Sequence, residues 1–366
     1  MMNRRHVIFG AGSVAAAVTQ IGPTAAGQPA TTYDAVAREV WTPIDTNGGL
    51  RELVRAATLA ANSHNTQPWK FTVSNKSILI EPDFSRRCPA VDPDDHHLFA
   101  SLGCATENMV QAATAMGLRT IVAFDPAGAG SISIAFEPAP AAASHLVSAI
   151  TDRQCTRAEY DGIPVEANAL RQLQSSHEDD GVERIFITDK SRMAAVLDYF
   201  VQGNTVQMRD QAFMAELKSW IRFSDSQAME LRDGLSSRSS GNRSLPAWFS
   251  RRLLPFVFTE GRENAKYAKH IRSSSGSVVF CAPTNDKAGW VLAGRAYQRF
   301  ALEATSLGLK HAFVNQPVEV SNLRAQFATF LGLRERRPDL VVRFGRGPSL
   351  PKSLRRPVES VIARSS

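Results

Sequence analysis

Two stretches of the chain repeat one pattern of small, apolar and polar positions. Gly103–Leu118 and Gly294–Leu309 share Gly, Ala, Ala, Thr, Gly and Leu at equal offsets, with the small residues at helical spacing. An aromatic residue stands four positions before each first glycine, Phe99 and Trp290. Each helix ends in Gly-Leu, where glycine can take the left-handed C-terminal cap, and runs into a β-like stretch, Arg119–Phe124 or Lys310–Val314. The repetition reads as a duplicated α+β unit; two unrelated Ala-rich helices with similar packing needs are the plain alternative. Two copies of one unit in a single chain can pack as a dimer does. Elsewhere Leu50–Leu59 reads as a helix, and Lys70–Val73 and Leu340–Phe344 as strands. Pro138–Ala143 is a Pro/Ala-rich linker, and a new helix starts near Ser144. Gly203–His270 reads as a long helical insertion containing a Ser/Arg-rich segment, Ser236–Arg243, and then Trp248-Phe249.

The amino terminus has a different character. Arg4 and Arg5 precede an apolar, small-residue run to Ile21, and Ala25–Ala30 offers small residues at cleavage positions. This is the pattern of a twin-arginine export signal; an amphipathic first helix is the alternative. Export by that route carries folded proteins, often with cofactors loaded, and would place this chain in the periplasm or another extracytoplasmic space, away from the cytoplasmic nicotinamide pool. No run reaches about 18 apolar residues, so no stable membrane insertion is expected.

The 366 residues, 43% hydrophobic and 21% charged, suit one large globular domain or two ordinary ones. The formal charge of +7 favours anionic ligands, but no basic stripe is interleaved with aromatics, so no nucleic-acid partner is expected. Cys88, Cys104, Cys155 and Cys281 form no C-x-x-C pair, which argues against a zinc site and a disulfide framework.

Ala60–Trp69 places Asn62, Ser63, Asn65 and Gln67 on a turn between a helix and a strand, and the carboxamides of Asn65 and Gln67, alternating around Thr66, can converge on one planar ligand. An ordinary polar loop capped by a core tryptophan remains open. Arg153 and Arg157 are four apart and share a face if the preceding helix extends that far; two guanidinium groups so placed can clamp a phosphate. A solvated arginine pair is the alternative. Lys352, Arg355 and Arg356 could add to such a clamp or form a charged surface tail. Asp92–His97 suggests metal, but adjacent histidines point to different sides of a regular element, so a solvated helix N-terminus is expected and no metal is assigned.

Together these motifs resemble the nitroreductase superfamily of FMN-dependent oxidoreductases, across most of Leu50–Val361. The loop Ala60–Trp69 resembles that family's Ala-Pro-Ser-x-x-Asn-x-Gln-Pro-Trp segment, and Arg153–Arg157 resembles its Arg-x-Ser-x-Arg/Lys segment, with Cys155 where serine is usual. Lys352–Arg356 matches its C-terminal basic cluster, and Phe313–Glu319 is similar to the Acg-like branch. The resemblance implies an α+β nitroreductase-like fold of two fused units, 30–143 and 144–366, after a signal at 1–29. The chain would be a monomer acting as an internal pseudo-dimer with one FMN site. Arg153 and Arg157, with Lys352 and Arg355 or Arg356, would hold the FMN phosphate. Gln154 and Cys155 would meet the ring or ribityl chain, and Asn62, Ser63, Asn65 and Gln67 would border the ribityl-phosphate side. The backbone near Asn315 and Gln316 would pass the flavin N5. The implied activity is ping-pong electron transfer from a small-molecule donor to quinone or nitroaromatic-like acceptors. The alternative is an exported flavin-sequestering protein, with the insertion 203–270 acting as a lid. The export machinery would be its macromolecular partner.

Overall fold

The computed structural model describes residues 31–363 apart from Ala143, 176–180 and most of 242–257. The amino-terminal signal, part of the Ser/Arg-rich segment and Phe249 therefore lie outside the described residues. Tyr33 onward forms one compact unit.

The fold is mixed α+β, as expected, and its two sheets repeat one topology. The first contains β1 (Trp69–Val73), β2 (Ser77–Pro82), β3 (Leu118–Asp125) and β4 (Ser131–Pro138), ordered β1-β2-β4-β3. A two-residue parallel pair, β6 (Ile221–Arg222) and β7 (Leu235–Ser236), lies in the insertion. The second large sheet contains β5 (Glu183–Ile187), β8 (Gly276–Cys281), β9 (Lys310–Phe313) and β10 (Leu340–Gly345), ordered β5-β8-β10-β9. Every pairing in both large sheets is antiparallel, and each half uses its first, second, fourth and third strands in that order. In each half a long helix joins the second strand to the third: His96–Ala115 in one and Lys287–Ser306 in the other.

Those two helices cross at the repeated glycines. A Cβ on Gly103 would stand 2.0 Å from the Val291 carbonyl oxygen, and one on Gly294 would stand 1.9 Å from that of Ala100. Only glycine allows the backbones to approach so closely. Polar groups register the crossing: Gln298 Nε2 donates to Asn108 Oδ1 at 2.7 Å, and the buried Glu107 carboxylate pairs with Arg295 and Arg299. Around it the main core joins both halves, from Leu53, Trp69 and Phe71 to Phe280, Phe300 and Phe344.

The carboxyl-terminal tail returns to the first half. Phe71 of β1 donates its N–H to Val361 and accepts from Ala363, so the tail covers the free edge of β1. The insertion is less simple than a run of helices. Its first helix, Lys190–Arg209, begins before residue 203; Gln211–Trp220, Asp225–Leu231 and Glu260–Arg272 follow, with β6 and β7 on either side of Asp225–Leu231.

Candidate functional site

The loop after helix Gly49–Thr58 is conformationally strained. His64, Asn65 and Gln67 all have φ between 46° and 55°, in the left-handed region that costs a non-glycine residue about 1–3 kcal/mol. Local bonds hold it there. Asn62 Oδ1 accepts the Gln67 N–H at 2.8 Å, and Ser63 O accepts the Thr66 N–H at 2.8 Å. The carboxamides of Asn65 and Gln67 do not converge on a ligand as expected. Asn65 Nδ2 donates to Gly234 O and Leu354 O, while Gln67 donates to Arg232 O and accepts from the Arg356 N–H. These amides tie the loop to the insertion and to the tail.

Four cations gather beside this loop, and none pairs with a carboxylate among the described residues. Helix His145–Asp152 stops before Arg153, whose ψ of 134° is extended, so Arg153 and Arg157 do not share a helical face. They nevertheless line one small recess with Lys352, Arg355, Asn62, Asn65, Gln154 and Cys155. Three of the cations also serve structure. Arg153 Nη2 donates to Leu59 O, Arg355 donates to Thr58 O and Ala60 O, and Lys352 donates to the carbonyls of Thr151, Asp152 and Arg153. These are helix C-termini, where positive charge is favoured. Arg157 forms no hydrogen bond or ion pair among the described residues, and Arg153 Nε is buried without a partner. Burial, and behind it the Arg153 charge, pushes Arg355 down to about 9 and Lys352 down to about 7. An anion in this recess would offset the mutual repulsion and burial of these cations.

The recess adjoins a cavity of about 820 Å³, within the range that takes a cofactor-sized ligand. Ala61, Asn62, His64, Arg157, Leu235 and Phe313 border both spaces. Ser63, Asn315 and Gln316 line the cavity, as do Tyr267 and Phe223 of the insertion. Asn315 uses its Oδ1 to accept the Val341 N–H, and Gln316 begins helix Gln316–Glu319, so its N–H has no intrahelical acceptor. Gln154 fixes the tail by bonding Leu350 and Pro351, and Cys155 Sγ lies 3.5 Å from Tyr297 Oη. Of the residues nominated from sequence, only Gln67 and Arg356 border neither space; Arg356 Nη2 donates outward to Ser360 O.

Sequence reasoning missed His64 and Glu319, although both lie in quoted motifs. Burial lowers His64 to about 4, so a neutral imidazole faces the cavity. The reading of Asp92–His97 as a solvated helix N-terminus is corrected: Asp92, His96 and His97 are buried and their ligand-type atoms lie within 4.8 Å of one another. Asp95 takes φ 60°, the helix begins at His96, and both imidazoles turn inward with their Nδ1 atoms 2.9 Å apart. Both Asp92 carboxylate oxygens already accept N–H groups, from His97 and Leu98.

No family model matches the chain. Two curated proteins of Mycobacterium tuberculosis are similar to it nearly end to end. Rv3131, whose name assigns it provisionally as an NAD(P)H nitroreductase, is 24% identical over 86% of this chain and 90% of its own length. Acg, named in the same way, is 24% identical over 85% of this chain and 94% of its own. Among solved structures, the FMN-dependent nitroreductase NfnB of Mycobacterium smegmatis, in complex with NADPH, aligns with a TM-score of 0.40 and 12% identity, over 60% of this chain and 96% of that one. A nitroreductase with bound FMN from Desulfitobacterium hafniense aligns at 0.37 and 13%, over 62% and 100%. The mycobacterial relatives support the nitroreductase superfamily as the kin of this chain.

Proposed function

We propose that the chain binds FMN in the seam between its halves and acts as an oxidoreductase of nitroreductase type. The observation that carries this reading is the cluster of four cations with no carboxylate partner among the described residues, opening into a cavity walled by both halves. The orphaned Arg153 Nε and Arg157, which has no polar partner among the described residues, fit a phosphate, and the larger, partly apolar space fits a tricyclic ring. Arg153, Arg157, Lys352 and Arg355 would hold the phosphate. Asn62, Gln154 and Cys155 would border the ribityl chain, and the backbone at Asn315 and Gln316 would face the ring edge. When bound, the flavin supplies two-electron chemistry between a small-molecule donor and an acceptor. The protein aligns the ring, and Phe223 and Tyr267 restrict water. The matching sheet orders support two fused units forming an internal pseudo-dimer, and the arginine pair near residue 4 supports export.

The insertion's coverage of the cavity favours a second reading, flavin sequestration with little turnover. One experiment separates the two. The purified full chain should show flavin bands at about 370 and 450 nm. Bleaching by NADPH or another donor and reoxidation by a quinone or nitroarene supports the oxidoreductase. A bound flavin that no soluble donor reduces supports sequestration. A protein that neither retains nor rebinds FMN refutes both.

A further inference from the structure

A second buried ionisable group reaches the cavity from another direction. His97 Nε2 lies 3.3 Å from Glu319 Oε1, and His96 Nε2 lies 2.9 Å from Asp339 Oδ1. The two Nδ1 atoms face each other at 2.9 Å. A neutral imidazole carries one N–H and one lone pair. If both rings direct Nε2–H at their carboxylates, two lone pairs meet at hydrogen-bond distance. One extra proton resolves the conflict, and it has two places to sit. It can bridge the Nδ1 atoms, which makes His97 an imidazolium. Alternatively it can protonate Asp339, which then donates to His96 Nε2 while His96 donates its Nδ1–H to His97. The two states differ by moving two protons along existing hydrogen bonds, with no heavy-atom rearrangement.

The surroundings suit a retained proton. Burial raises Asp339 to about 7. Burial opposes charge on His97, but the Glu319 hydrogen bond and the Asp92 charge outweigh it and raise the imidazole. Burial and His97 hold His96 neutral, and His97 and Gln207 keep Glu319 ionised against its burial. The other charged or titratable neighbours include His64 on the strained loop, Cys88, Asp94, Arg324 on helix Ser321–Leu331 and Arg337 before β10. His97 and Glu319 both line the cavity.

We propose that Asp339, His96, His97 and Glu319 form a proton relay that ends on the cavity wall and supplies the proton consumed when an acceptor is reduced there. This rests on the oxidoreductase reading above. Reduction of a quinone to its quinol consumes two electrons and two protons; a bound flavin would supply the electrons with one proton, and His97 would supply the second proton. The products are the quinol, a neutral His97 and an ionised Asp339, and a proton from water restores the relay. His97 would be the catalytic donor at the cavity; His96 and Asp339 act through it.

The test has two arms on the full-length protein. Nitrogen NMR of the histidine side chains, with and without flavin, should find one of the two loaded states between about pH 6 and 8: a doubly protonated His97, or neutral rings of opposite tautomer, His96 Nδ1–H and His97 Nε2–H. Two neutral rings that both carry their proton on Nε2, or one stoichiometric zinc ion in place of the proton, would overturn the relay. In the second arm, dithionite-reduced protein is reoxidised by benzoquinone, which needs protons, and by ferricyanide, which needs none. In Asp339→Asn the quinone-to-ferricyanide rate ratio should fall about 100-fold, the usual scale of acid catalysis. A ratio equal to that of wild type would mark Asp339 as structural and overturn the relay. If Asp339→Asn does not fold, His96→Gln is read in the same way. Wild-type protein that holds no flavin refutes the proposed function, while the NMR arm still reads the proton.

Discussion

Arg157→Gln isolates ligand grip from protein stability. Three of the four recess cations bond backbone carbonyls, but Arg157 has no hydrogen bond or ion pair among the described residues. Its removal costs the fold no hydrogen bond or ion pair among the described residues, so the flavin-free protein should keep its stability within about 0.5 kcal/mol. A charge-assisted hydrogen bond to phosphate is worth about 1.5–3 kcal/mol, so FMN affinity should fall about 10- to 150-fold. Riboflavin, which lacks the phosphate, should bind wild type and variant alike. Arg355→Met provides the contrast. That guanidinium is buried and donates to Thr58 O, Ala60 O, Asn65 Oδ1, Ser353 Oγ and Leu354 O. Orphaning those acceptors should cost about 3 kcal/mol or more of stability. Flavin-fluorescence titrations and urea unfolding of flavin-free protein measure both quantities. FMN affinity within twofold of wild type in Arg157→Gln, or equal losses for FMN and riboflavin, would refute the phosphate assignment.

Three other outcomes follow from the same geometry. Gly294→Ala places a methyl group where Ala100 O stands 1.9 Å away, so urea unfolding should show a loss of about 3 kcal/mol or failure to fold; a neutral variant would mean that the helices do not cross there. His64 is lowered to about 4, so folding favours its neutral form, and its contribution is fully present above the unfolded imidazole value of about 6.5 and is lost as pH falls toward 4. Stability of the flavin-free protein across that window should therefore fall less in His64→Gln than in wild type. Cys155→Ser replaces a weak donor beside Tyr297 Oη and Arg153 with a stronger one, and FMN affinity should rise a few-fold; unchanged affinity would place Cys155 outside the ligand's reach.

The fold was legible where one local rule had no competitor. The repeated glycines were visible as a duplicated pattern, and the structure shows why they recur: only glycine lets the backbones cross where a Cβ would stand 2.0 Å or less from an opposing carbonyl, and that need leaves a residue-level trace. The return of the tail onto β1 left none. Val361 and Ala363 bond Phe71 through backbone atoms, which any sequence could supply, across nearly the full length of the chain. The interrupted insertion was illegible for a related reason: the β6–β7 pair has only two residues per strand, too short for a period to appear.

The site was legible as a set of residues and much less so as a set of directions. Motif identity nominated Asn65 and Gln67, but positive φ at both turns their amides onto the insertion and the tail, and pattern carries no sign of φ in a loop free of glycine. Arg153 and Arg157 do meet, though not by the helical spacing that suggested it; helix His145–Asp152 ends first, and the extended chain carries both into the recess. The histidines show the limit most clearly. Adjacent side chains diverge on a regular helix, yet His96 and His97 face each other because the left-handed Asp95 starts the helix at His96 itself. What holds them inward is Asp339, 243 residues away from His96, together with Glu319 on another helix. A buried polar pair is set by partners distant in sequence, so a rule about neighbours reads its exposure with the wrong sign.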